Sequence, residues 1–166
     1  MLKKIIIALL VVFPLTAMAQ KFGVVDYEEV AKAMPEYTQM QTQIAEASKK
    51  YEDEVGKLTE EINKKLAELQ QMDQDPNTLQ SIKERRIQEL NELDAKRQQF
   101  LNSAQQDLQR MQVQLMGPIE TKFMDAIKAV GQEGGFVFIF PKGVSLYDGA
   151  GVEDVTNAVK TKLGVK

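Results

Sequence analysis

Neither cysteine nor histidine occurs in the 166 residues of this chain. That removes thiolate nucleophiles, the usual zinc and iron ligands, and the side chain best suited to moving protons near neutral pH. Carboxylates remain. Acidic clusters stand at Glu52-Asp53-Glu54 and Glu60-Glu61. They lie off the apolar seam of a helical stretch and lack the spacing of a cation-binding loop, so solvated helix surface is their expected role. Gly149-x-Gly151 has the start of a phosphate-binding loop, but the third glycine is missing, and Glu153 and Asp154 would repel an anion there. No catalytic residue, metal ligand or cofactor is expected, and the chain does not read as an enzyme. The side chains left with something to offer are soft and apolar. Ile87, Leu101 and Val113 stand beside the helical seam, while Met72 and Met116 sit near its two ends. Their chemistry is adaptable, unselective apolar contact. Broadening of the seam is the competing role.

The element that carries these residues runs from Glu36 to Leu115. Glycine and proline interrupt it only at Gly56 and Pro76. Apolar residues recur every three or four positions in two runs, from Tyr37 to Met72 and from Leu79 to Leu115. That spacing makes a seam on an α-helix and cannot make a strand. Asp75-Pro76 is expected to supply the N-cap and first residue of the second helix. If the chain folds back at residue 75 or 76, the numbers of facing residues add to 151 or 152 along the whole length. The pairs are Leu69–Ile82, Ile62–Leu90, Leu58–Leu93, Tyr51–Phe100, Ile44–Leu108 and Met40–Met111. An antiparallel coiled-coil hairpin of roughly 55 Å follows from the rise of 1.5 Å per residue.

The hairpin is inserted into a small base. Lys21–Asp26 reads as a strand and Tyr27–Met34 as a short helix. Pro35 and Gly117-Pro118 lie at the same height on the two arms and are expected to break both there. Phe136–Phe140 is apolar on both faces, as in a strand buried on both sides. Val144–Tyr147 is expected to return as another strand. A last helix is expected to carry Val152, Val155, Val159 and Leu163 on one face, Glu153 and Asp154 in its first turn, and Gly164 after its end. The domains are therefore 20–35 plus 117–166 for the base and 36–116 for the arm. So small and apolar a sheet leaves adhesive edges, and the base is expected to close on copies of itself. Phe22, Val24, Phe136, Val137, Phe138, Ile139 and Phe140 are the candidate association residues.

Residues 1–19 read as a secretory leader. Lys3 and Lys4 precede an apolar run, and Ala17-Met18-Ala19 is a small-x-small cleavage pattern. The expected product is exported and begins at Gln20, with no membrane-spanning segment left. Its 19 basic and 24 acidic residues give a net charge of -5. That balance argues against nucleic acid as a partner.

The leader, Phe22–Asp26, the central hairpin, Phe136–Phe140 and the ending Val152–Lys160 together resemble the OmpH/Skp family of periplasmic chaperones. The resemblance covers the whole mature chain, and the order of its elements is more specific than the coiled coil. It implies a mainly α fold with a small β base, a homotrimer joined through a β-barrel hub, and helical arms enclosing a cavity. There, unfolded outer-membrane proteins are held without ATP before insertion. Well-known members are strongly basic, whereas this chain is acidic, so the resemblance does not carry over an electrostatic hold on anionic clients or lipopolysaccharide. The rival expectation, from another class, is an exported coiled-coil spacer or scaffold.

Overall fold

The computed structural model describes residues 20–166, and the leader read over 1–19 lies outside the described residues. The elements are β1 (Lys21–Val25), α1 (Tyr27–Ala33), α2 (Pro35–Gln74), α3 (Gln80–Gly134), β2 (Phe136–Pro141), β3 (Val152–Asp154) and α4 (Thr156–Leu163). The fold is mainly α with a small β base, as the sequence implied.

Helices α2 and α3 form the hairpin. At 1.5 Å per residue they are roughly 60 and 80 Å long. Met40, Leu58 and Ala104 are buried along the seam. The rings of Tyr51 and Phe100 meet edge to face at 5.9 Å, and the Tyr51 hydroxyl donates to Asp107 Oδ2 at 3.4 Å. Ion pairs Lys65–Glu89 (3.4 Å) and Asp73–Lys83 (3.1 Å) also cross between the arms.

Three expectations about the hairpin need correction. Asp75 caps the end of α2 rather than the start of α3, which begins at Gln80 after Leu79. The Asp75 carboxylate instead accepts from the Asn77 backbone N–H at 2.9 Å, an Asx turn that competes with helix initiation. The fold-back point consequently moves from residue 75 or 76 to about residue 77, midway between the two helices. Toward the root the partners run about a turn further along α3 than expected. Met40 packs with Leu115 and Ile119, not with Met111, which lies beside Ala47 and Tyr51. Finally, only one arm breaks at the root. Met34 ends α1 and Pro35 opens α2, as a proline at the first helical position favours. On the other side α3 runs unbroken through Gly117 and Pro118. Pro118 cannot donate to the Gln114 carbonyl. The turn is held by packing, because Met34, Met40 and Ile119 form a buried cluster with Tyr37, Leu115 and Met116 against it.

The base is an open, three-stranded parallel sheet ordered β2-β1-β3. Its inner face, with Val25 and Ile139, covers a core of Val30, Phe123, Ala126, Val130, Val155 and Val159. Gly23 sits on this face where a Cβ would come within 3.2 Å of both Ile139 and the Phe136 ring. Gly135 ends α3 in the left-handed conformation, φ 67°, and lets β2 turn back along β1. Two further corrections fall here. Val144–Tyr147 forms no strand; residues 142–151 are the loop joining β2 to β3. Val152–Asp154 is not the first turn of the last helix but β3, laddered to Phe22, Gly23 and Val24. Helix α4 starts only at Thr156. The Thr156 hydroxyl, buried in the core, accepts from the Asp26 N–H at 2.9 Å and ties α4 to the end of β1.

Candidate functional site

Two surfaces carry the residues singled out above. The first is the arm. Ile87 and Leu101 are exposed, and Val113 is 68% exposed. Met72 is half-buried near the tip. Met116 is partly buried against the root cluster and contributes to packing there. The structure therefore does not bring the five together into one pocket; three lie open along α3, and two are drawn into the ends of the hairpin. Leu66, Leu79 and Ile82 are also exposed toward the tip. The periodicity placed them in the seam, and no sequence signal separated them from it, because the arms diverge from full mutual coverage only in three dimensions.

Midway along the arms a cleft of ≈ 520 Å³ is lined by Tyr51, Val55, Gly56, Leu101, Ala104 and Leu108. It exists because small residues stand on both helices. A Cβ at Gly56 would meet nothing within 4 Å, so tight packing does not require that glycine. Some carboxylates of the arm are paired. The Arg86 guanidinium, with Lys65, holds the Glu89 carboxyl below its ordinary range, and the Lys122 ammonium does the same for Glu36 at the root. Such exposed pairs add little stability. They leave apolar contact as the chemistry of the arm.

The second surface is the outer face of the sheet. Phe22 stacks on Phe138 at 6.3 Å, and Phe138 on Phe140 at 5.7 Å. Phe138 is 56% exposed, and Val137 and Phe140 are also exposed. Val137 stands where the β1–β2 register shifts, which turns it outward. Of the remaining candidate association residues, Phe136 and Ile139 pack inward on the core and Val24 is buried under the 142–151 loop. Sequence reasoning missed Val144, Leu146 and Tyr147, all highly exposed on that loop. They were expected as part of a returning strand, not as an exposed loop.

At the border of this surface, Asp154 accepts from the Thr156 N–H at 3.0 Å and pairs with Lys142 at 3.0 Å. Thr156 and then Lys142 hold its carboxyl down to about 2. Lys21 pairs with Glu153 at 3.6 Å on the neighbouring strand. Among the described residues no group of three or more carboxylates converges as a cation site, and no helix is long and apolar enough to cross a membrane.

Comparison with curated proteins gives no match. A family model described as outer membrane protein (OmpH-like) matches residues 21–163. The matched span runs from the first residue of β1 to the last of α4 and takes in the hairpin and the base together, so the chain belongs to the OmpH family.

Proposed function

We propose that this protein is an ATP-independent holdase of the periplasm, acting as a homotrimer that keeps unfolded outer-membrane proteins from aggregating before insertion. Membership in the OmpH family supports a periplasmic chaperone of outer-membrane proteins at family level. One observation carries the finer reading. Long arms project apolar side chains, among them Leu66, Ile82, Ile87, Leu101 and Val113, into solvent where the hairpin itself does not cover them. A coiled coil that served only as a spacer would gain nothing from such rows, whereas an unfolded chain offers apolar segments to fill them. Gly149-x-Gly151 leads into β3 rather than into a helix, unlike a phosphate-binding loop. The net charge of -5 over residues 20–166 makes attraction of anionic clients the lesser force. Three copies joined through their sheet faces would bring three pairs of arms around one space.

The test is dilution of an unfolded β-barrel membrane protein from urea, with and without this protein, in the absence of nucleotide. Light scattering should be suppressed when the trimer is equimolar with client. Scattering that rises at the same rate in both samples would overturn the proposal.

A further inference from the structure

Beneath the 142–151 loop lies a cavity of ≈ 290 Å³ lined by Phe22, Val24, Phe140, Val144, Tyr147 and Val152. The loop is held in a tight turn: Ser145 Oγ accepts from the Tyr147 N–H at 3.1 Å and donates to the Tyr147 carbonyl at 2.7 Å. That turn presents Val144 and Tyr147 to the cavity and Leu146 away from it. Leu146 is fully exposed, at 106% of its reference area. One surface thus carries an apolar side chain with nothing around it and, beside it, an apolar cavity that its own chain leaves open.

We infer that Leu146 of one copy seats in the β1–loop cavity of the next, so that the loop is the knob and the sheet face the hole of the contact joining the copies. The inference rests on the association proposed above and names the contact that makes it. A second copy is the occupant for three reasons. The exposed parts of Val137, Phe138, Phe140, Val144, Leu146 and Tyr147 leave on the order of 700 Å² per copy, more than the ~300–600 Å² of the largest apolar patch on a typical monomer. Bordering charges are matched within each chain, as Lys21–Glu153 and Lys142–Asp154, and Asp148 is the one charged residue that lines the cavity itself. A parallel sheet, moreover, is ordinarily covered on both faces, and here only the inner one is. In the proposed homotrimer each copy would give its knob to one neighbour and its hole to the other, a head-to-tail contact that closes a ring.

The chain has no cysteine, so new ones report cleanly. Leu146→Cys and Val152→Cys are made in separate chains, unfolded and refolded together, and oxidised with glutathione disulfide. A covalent dimer in the mixture, and in neither variant alone, is expected. A dimer from Leu146→Cys alone would place loop against loop and overturn the inference. So would the absence of any dimer while the mass in solution remains that of an oligomer, which would leave the association itself standing. A monomeric mass for the unmodified chain would remove both. Leu146→Asp should dissociate the oligomer to single chains with helicity unchanged, and Leu146→Met should not. An oligomer that tolerates Leu146→Asp would also overturn the inference.

Discussion

Replacing Ile87, Leu101 and Val113 together by serine tests what the arms hold clients with. These residues are 46%, 38% and 68% exposed, so about half of each side chain is open to a client. Full burial of such a side chain gains about 1.5–3 kcal/mol, and half of it about 1 kcal/mol. Three residues then contribute about 3 kcal/mol per chain, a ceiling near a hundredfold in Kd at 1.4 kcal/mol per tenfold. A shifting client covers only some of them at a time, and the expected loss is about tenfold. Serine ranks with isoleucine and valine in helix propensity and costs about 0.5 kcal/mol at most in place of leucine, small for helices this long. Met116 is left in place because it packs the root. The assay is fluorescence binding of a labelled unfolded β-barrel protein at low and high salt, with helicity checked by circular dichroism. Near 1 M salt the Debye length falls to ~3 Å and charge contact fades while apolar contact persists. The natural protein should bind equally or slightly more tightly at high salt, and the variant about tenfold more weakly in both. A helical variant that binds normally, or natural-protein binding that collapses in salt, would refute the reasoning.

Gly56→Ala should raise stability by about 0.5–1 kcal/mol in urea unfolding, since the new methyl group meets nothing and the helix loses a glycine. The Asp154 carboxyl titrates near 2 folded and near 3.8 unfolded, so its contribution is present above pH 4 and is lost as pH falls from about 4 to 2. The shift caps that contribution at 2–3 kcal/mol, and an exposure of 46% reduces it to about 1 kcal/mol. Asp154→Asn should remove that acid-side slope in unfolding curves while keeping the acceptor for the Thr156 N–H. Cysteines at Lys65 and Glu89 should crosslink within one chain, whereas cysteines at Leu58 and Leu108 should not; equal crosslinking of both pairs would contradict the hairpin register.

The hairpin was legible because forty-residue periodicity leaves one structural solution, and Tyr51–Phe100 falls where the pattern placed it. Its details depended on local competition that the pattern does not record. Asp75 was free to cap a helix or close an Asx turn, and the turn won. Pro118 reads as a break, yet the packing of Ile119 and Leu115 on Met34 and Met40 keeps the helix continuous. In the base, Glu153 and Asp154 looked like the acidic first turn of a helix. Pairing of Val152–Asp154 with β1, and the ion pairs to Lys21 and Lys142, make them a strand. Val144–Tyr147 was read as a strand but pairs with neither β2 nor β3 and stays in the loop. The arm residues beside the seam were legible as apolar; which of them face solvent follows from how far the two helices cover each other.

The central claim is that several copies together hold one unfolded client. Light scattering coupled to size-exclusion chromatography measures this directly, on the protein alone and after a β-barrel membrane protein is diluted into it from urea. The expected masses are three chains for the protein alone, and three chains plus one client in the mixture. A single-chain mass in both runs, with the client lost as aggregate, would contradict the claim.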